Sequence, residues 1–177
     1  MEFEFTKEQR QVGNAVRDFA RKELRPLYTQ LDREKKFPRD IWKKIGQLGL
    51  IGMCITPENG GLGSDYVSQG VAAEEMARED PNMCSATFAA AELCVAMMEE
   101  GTQTVKKSFL EPVMAGEMVP AFALTEPHCG TDAAAISATA RKKGSSYIIN
   151  GEKTGITLMG IADVAIVIAK TDAGSGA

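Results

Sequence analysis

The sequence lacks the features of several large classes of protein. Its 20 Lys and Arg are outnumbered by 24 Asp and Glu, giving a net charge of −4, whereas nucleic-acid binding needs clustered basic side chains. No apolar run approaches the roughly 20 residues of a membrane span, and Met1–Phe5 lacks the features of a signal peptide. Four cysteines without CxxC spacing are too sparse for a disulfide scaffold. We therefore predict a cytoplasmic protein with no nucleic-acid, membrane or metal partner.

Aromatic residues are also scarce, at 6% of the chain, but the remaining composition is that of a folded protein. Hydrophobic residues make up 44% and charged residues 25%, which excludes a disordered or fibrous chain. The 177 residues are enough for one compact domain or two small ones.

The first two thirds of the chain are typical of helices. A capping box, Thr6–Gln9, precedes apolar residues that recur at spacings of three and four from Val12 to Leu31 and again from Ile41 to Leu48. Pro26 predicts a kink or break near Arg25. Further helices are predicted at 66–79, 83–99 and 102–114. The predicted core comprises Val12, Val16, Phe19, Ala20, Leu24, Leu27, Leu31, Ile41, Trp42, Ile45, Leu48, Met83, Met97, Met98 and Met114.

The pattern changes after Pro120. Two short segments rich in β-branched or alternating residues, 137–142 and 146–150, are separated by Lys143–Gly144 and predict the strands of a hairpin. The segment 162–170 predicts a third strand that is mostly buried. Asn150–Gly151 is the strongest short turn signal in the sequence. Because two or three strands leave unpaired edges, this region resembles the beginning of a larger β domain.

Two segments contain residues suited to ligand binding. The first, Phe122–Asp132, places the hydroxyls of Thr125 and Thr131 beside Gly130. Backbone N–H groups around a glycine and a capping hydroxyl can bind anionic oxygens, although the same residues also suit an ordinary turn. The second, 152–157, ends in a threonine that either contacts a ligand or is simply a β-branched strand residue.

These segments, in order with the helical region before them, resemble the acyl-CoA dehydrogenase family. The matching pieces are Thr6–Gln9, Gly49–Gly52, Pro57–Gly63, Gly101–Thr102, Ala121–Pro127, Asn150–Lys153 and Ala169–Asp172. The resemblance implies an α+β fold, in which an all-α domain at 1–119 precedes the start of an antiparallel β-barrel domain at 120–177. It also implies a flavoprotein of fatty acid metabolism that uses FAD to introduce an α,β double bond into an acyl-CoA thioester.

The resemblance further implies which residues contact the cofactor. They are Phe122, Leu124, Thr125, Gly130, Thr131, Gly155, Ile156 and Thr157. Thr125 would contact the isoalloxazine ring, Thr157 would lie near its N5 atom, and Thr131 would lie near both the pyrophosphate and the substrate's pantetheine. Hydroxyl and backbone donors at such places stabilise a reduced, anionic flavin. Acyl-CoA, an electron-transferring flavoprotein as candidate acceptor, and a homo-oligomer of the complete protein are implied as partners.

The sequence departs from the family pattern in three ways. The family's catalytic glutamate lies in a C-terminal helical bundle beyond the region matched here, so no catalytic residue is assigned, and Glu126 is given no such role. Gly155 and Leu158 stand where an aromatic residue and Asn are usual. Gly155 either leaves space for a bulky acyl group or another electron partner, or permits a turn. His128 and Cys129 replace small residues and are interpreted as a solvated side chain and a filler.

Several functions remain open from the sequence. A flavin-dependent enoyl-CoA reductase or an acyl-CoA oxidase on the same scaffold is one alternative. A non-catalytic helical protein that binds coenzyme A or supports oligomer contacts is another. Flavin colour in the purified protein would favour the enzymes over the last of these.

Overall fold

Helices occupy the first part of the chain in the computed structural model, which describes residues 4–171. The α-helices are α1 (Lys7–Phe19), α2 (Arg25–Glu34), α3 (Arg39–Gln47), α4 (Tyr66–Ala77), α5 (Pro81–Ser85), α6 (Glu92–Glu99), α7 (Gln103–Val105) and α8 (Glu111–Met114). Short 3₁₀ turns lie at Pro57–Asn59 and Ala133–Ala135. None of the helices described is both long enough and apolar enough to cross a bilayer.

π-helical turns join the α-helices into longer rods. They lie at Ala20–Leu24, Ala86–Ala91 and Lys106–Leu110. The first ends just before Pro26 and the last just before Pro112, and a proline has no N–H with which to continue α-helical hydrogen bonding. The break predicted near Arg25 is therefore present as a π turn, while the chain continues in a helical path.

Side-chain caps fix where the helices begin. The predicted capping box is present, since Thr6 Oγ1 accepts from Gln9 N at 3.2 Å and Gln9 Oε1 accepts from Thr6 N at 2.9 Å. Asp65 caps α4 through Ser68 N at 2.8 Å. Asp80 caps α5 through the backbone N–H groups of Asn82 and Met83, both at 3.0 Å.

The helices enclose one apolar core, and most of its predicted members are buried. Trp42 belongs to this core and is 1% exposed, and its indole N–H donates to Met118 O at 3.1 Å. Leu27, Leu48 and Met97 are 36%, 48% and 44% exposed, so their assignment to the core was wrong. Leu27 follows a π turn, which rotates the apolar face of the helix away from the regular spacing. Leu48 is the C-cap of α3, at the end of the helix. Met97 is next in sequence to Met98, and of the two only Met98 is buried.

Two pairs of strands form the β region. β1 (Pro120–Ala123) pairs in parallel with β4 (Val164–Val167), and β2 (Thr139–Lys143) pairs antiparallel with β3 (Ser146–Asn150). The predicted hairpin is therefore present, and the predicted α+β fold is confirmed, with one strand pair parallel. The third predicted strand is shorter than expected, and its predicted burial was wrong, because the residues of β4 alternate between half-buried and exposed. β1 was not predicted as a strand.

The turn predicted at Asn150–Gly151 was wrong. The hairpin reverses at Gly144, whose φ is +63°, whereas Asn150 is the last residue of β3. Gly151 instead permits a close approach, because a Cβ there would lie 2.5 Å from Ala138 Cβ. The glycine thus brings the chain leaving β3 against the segment that enters β2.

Candidate functional site

A cavity of about 280 Å³ opens between the helical region and the β region. The end of β1 and the segment that follows it contribute Phe122, Leu124 and Thr125, and the segment after β3 contributes Gly155, Ile156 and Thr157. Across from them are Ser85, Ala89, Ala90 and Leu93 of the rod that runs from α5 to α6. This cavity, called the site cavity below, brings together six of the eight residues predicted to contact a cofactor.

The other two predicted residues lie in the adjoining loop. Gly130 and Thr131 are exposed and do not line the site cavity. A Cβ on Gly130 would be 4.0 Å from Thr125 Cγ2, so this loop passes beside the cavity wall. The 3₁₀ turn begins at Ala133 with Asp132 as its N-cap and has no side-chain cap, so Thr131 does not cap it. The binding roles of all eight residues stay predictions.

The surface of the site cavity is suited to a flat, mostly apolar group. Phe122, Leu124 and Ile156 supply apolar surface, and Thr125 and Thr157 supply hydroxyls. The wall of the cavity has open space beside Gly155, because no heavy atom lies within 4 Å of where a Cβ on this residue would stand. No titratable side chain is among the lining residues in the described part of the chain. The site cavity can therefore orient a ring by hydrogen bonds, and its described lining residues offer no acid or base.

A buried ion pair fixes the wall that carries Thr125. Glu126 is 2% exposed, and its Oε1 accepts from Lys153 Nζ at 2.8 Å and from Ala138 N at 2.9 Å. Its Oε2 accepts from the backbone N–H and the hydroxyl of Ser137, both at 2.7 Å. Lys153 also donates to Leu124 O at 2.7 Å. One carboxylate thus joins three segments of chain around the site.

The same contacts determine the charge of Glu126. The ammonium group of Lys153, followed by the donors of Ser137 and Ala138, holds the pKa of Glu126 well below its ordinary range despite burial. A carboxylate with so many donors is a poor proton acceptor near neutral pH. This agrees with giving Glu126 no catalytic role. Sequence reasoning did not find its pairing with Lys153, although both residues lie in the matched motifs.

His128 and Cys129 belong to a tight turn next to this ion pair. Glu126 and Cys129 exchange backbone hydrogen bonds of 3.0 and 3.2 Å across the turn. The side chain of His128 is 53% exposed, and its Nε2 lies 3.2 Å from Ala135 O. Potential ligand atoms of Glu126, His128 and Cys129 lie within 4.8 Å of one another. Because both Glu126 oxygens already accept hydrogen bonds, we assign this group no metal-binding role.

A second cavity, of about 360 Å³, adjoins the site cavity. The two share Ser85 and Thr157 in their walls. The second is lined further by Tyr28, Phe37 and Asp80. Asp80 is 3% exposed, and burial raises the pKa of its carboxyl group above the ordinary value. Thr157 therefore stands between two adjoining spaces, only one of which contains acidic groups.

Comparison with known proteins identifies relatives of the whole chain. Residues 6–117 match the model of the acyl-CoA dehydrogenase N-terminal domain, and residues 121–177 match that of the middle domain. The chain is 38% identical over 181 residues to a short-chain-specific acyl-CoA dehydrogenase of Clostridium acetobutylicum, a match that covers 99% of this chain and 47% of the relative. It is 37% identical to a 3-(aryl)acrylate reductase of Clostridium sporogenes, a match that covers 97% of this chain and 46% of the relative.

A solved structure is also similar to this chain in both sequence and fold. The glutaryl-CoA dehydrogenase of Mycobacterium smegmatis in complex with FADH2 is 31% identical, with a TM-score of 0.89. The similarity covers 95% of this chain and 44% of that protein. The chain thus spans about half the length of the relatives it matches.

Proposed function

The chain belongs to the acyl-CoA dehydrogenase family, and from this premise we propose that its site cavity binds the isoalloxazine ring of FAD for oxidation of an acyl-CoA thioester at Cα and Cβ. The observation that carries the proposal is the convergence of Phe122–Thr125 with Gly155–Thr157 on one cavity. These segments are about thirty residues apart in the sequence, and the resemblance to the family implied flavin contacts for both. The structurally similar glutaryl-CoA dehydrogenase was solved with FADH2.

The residues present fit such a cofactor. The hydroxyls of Thr125 and Thr157 would donate to polar edges of the ring, and Phe122, Leu124 and Ile156 would contact its apolar surface. Gly130 and Thr131, in the loop beside Thr125, would hold the pyrophosphate, and Thr131 would also contact the substrate. When bound, FAD supplies the hydride acceptor of the reaction. The chain's own groups orient the ring and place hydrogen-bond donors around it.

No residue of the described chain is proposed as the base that removes the α-proton. The site cavity is lined by no titratable side chain within residues 4–171, and Lys153 holds Glu126 as a fully paired carboxylate. We extend the proposal to an electron-transferring flavoprotein as acceptor and to a homo-oligomer of the complete protein. A boundary between domains at 119/120 agrees with the two matched family models, which cover 6–117 and 121–177. A cytoplasmic location stays a prediction.

A reductase is the second candidate. The relative from Clostridium sporogenes is a 3-(aryl)acrylate reductase, and it matches nearly the whole chain. The open wall at Gly155 is compatible with a bulky or cyclic acyl group. Reduction of an enoyl thioester runs the same chemistry in the opposite direction, so the cofactor contacts would be unchanged.

Loss of the two hydroxyls at the site cavity tests the proposal. We expect Thr125→Val and Thr157→Val each to weaken FAD binding about three- to tenfold, because each removes one hydrogen bond to the ring. The exposed Thr29 on α2 gives a matched control, and Thr29→Val should bind FAD like the parent. FAD titration followed by visible absorbance measures all four proteins. Equal affinity in all of them would remove the site cavity as the flavin site.

A further inference from the structure

The segment that carries Gly155, Ile156 and Thr157 has few connections of its own. Within it, Met159 N donates to Ile156 O at 3.3 Å and Ile161 N donates to Leu158 O at 2.9 Å, which makes two successive turns. Among the described residues, no hydrogen bond joins the backbone of 155–160 to any other part of the chain. This segment, 155–161, is called the site loop below. Leu158 and Ile161 pack against the apolar core, so the position of the site loop depends on this packing and on how its two ends are held.

One end of the site loop is anchored to the β region. Thr154 N donates to Thr125 O at 3.0 Å, and the neighbouring Lys153 is held by Leu124 O and Glu126. These contacts place the beginning of the loop against the wall of the site cavity. They do not reach its other end.

The other end is held by an arginine from the helical region. Arg39, the first residue of α3, donates through Nη2 to Ile161 O at 2.6 Å. It also binds Asp163 with both terminal nitrogens, at 2.7 Å to Oδ2 and 3.2 Å to Oδ1. In the part of the chain that the structure describes, no other residue of an α-helix hydrogen-bonds to residues 155–163.

Asp163 is in turn attached to the start of the β region. Its Oδ2 accepts from Val119 N at 2.8 Å, and its own N–H donates to Val119 O at 2.8 Å. Arg39 therefore binds a fixed acceptor on one side and the last carbonyl of the site loop on the other. A planar guanidinium with several donors suits this arrangement, whereas a lysine could not reproduce the fork.

We propose that Arg39 is a positioning residue that holds the site loop, and with it Thr157, at the distance from the helices that flavin binding requires. The proposal rests on the proposed function for its cofactor, but its structural half concerns this chain alone. Without Arg39 the loop would keep its anchors at Thr154 and Asp163 and the packing of Leu158 and Ile161, but it would lose the hydrogen bond to Ile161 O that connects its end to α3. Thr157 would then sample a wider range of positions between the two cavities whose walls it shares.

Hydrogen exchange and FAD titration together test this role. We compare the parent with Arg39→Gln and Arg39→Lys, and use Arg21→Gln as the matched control, because Arg21 forms an exposed ion pair with Glu79 away from the loop. In the protein without FAD, Arg39→Gln should speed amide exchange in peptides covering 155–161 about tenfold, with Arg39→Lys intermediate and Arg21→Gln unchanged. In FAD titrations, Arg39→Gln should weaken binding about five- to tenfold and shift the visible flavin band.

The two measurements separate the inference from the proposed function. If the folded parent does not bind FAD but Arg39→Gln still loosens 155–161 selectively, the proposed function fails and the anchoring by Arg39 stands. If exchange across 155–161 in Arg39→Gln matches that in Arg21→Gln, the positioning role is refuted. Should Arg39→Gln fail to fold, the same comparison is made with Asp163→Asn, which removes the charge pair but keeps an oxygen facing Val119 N.

Discussion

Replacement of Gly155 by alanine separates the two interpretations of the glycine at the site cavity. Its φ is +62°, a left-handed conformation that costs an L-residue about 1–2 kcal/mol. No heavy atom lies within 4 Å of where the new Cβ would stand, so the structure adds no steric clash to that cost. Gly155→Ala should therefore lower the free energy of unfolding by about 1–2 kcal/mol, which is about 2–8 °C in Tm for a chain of this length.

Gly160 in the same loop provides the control. It too has open space around its missing Cβ, but it is not among the glycines with positive φ. Gly160→Ala should leave stability unchanged or raise it by about 0.4–1 kcal/mol, because alanine restricts the unfolded chain. Urea and thermal unfolding of both variants measure the difference. Equal effects at the two positions would show that backbone conformation does not explain Gly155, and the open wall would then be its remaining explanation.

Three further predictions concern the core, the buried acid and the reaction. Leu24 is 2% exposed, so Leu24→Ala should lower the free energy of unfolding by about 2–5 kcal/mol. Leu27 is 36% exposed, so Leu27→Ala should lower it by under about 1 kcal/mol. Similar urea midpoints for the two variants would contradict the packing described. Burial raises the pKa of Asp80, so its charge destabilises the fold increasingly as pH rises from the unfolded value of about 3.9 through the folded value. Because asparagine also caps helices, Asp80→Asn should gain more stability over the parent at pH 7 than at pH 3, and a gain independent of pH would refute this. Finally, the 177-residue chain loaded with FAD should not reduce a dye with acyl-CoA above a free-flavin control, because no titratable side chain among residues 4–171 lines the site cavity; clear turnover would show that a base was missed.

Local signals in the sequence predicted the elements that depend on near neighbours. The capping box at Thr6, the helical rods and the β2–β3 hairpin follow from spacing and residue type within a few positions. Local spacing and residue type do not predict the π turns, and the turn at Ala20–Leu24 rotates the apolar face enough to expose Leu27. The strand β1 was missed because its four residues, PAFA, show no alternation and pair with a partner more than forty residues away.

The candidate site was predictable only in part, for the same reason. The residues of the site cavity came from motif resemblance, and the structure brings six of them together. The ion pair between Glu126 and Lys153 joins residues 27 apart, and that between Arg39 and Asp163 joins residues 124 apart. Their partners are selected by tertiary packing, which no local pattern of a single sequence encodes. These long-range pairs connect the segments that line the cavity to distant parts of the chain.

Binding of FAD to the folded chain tests the central claim most directly. Titration of the purified protein should give saturable binding of one FAD per chain and a visible flavin spectrum. Thermal unfolding should show stabilisation that grows with ligand, reaching about 2.7 kcal/mol when free FAD is 100 times its Kd. A folded, colourless protein whose absorbance and Tm do not respond to excess FAD would contradict the assignment of the site cavity to flavin.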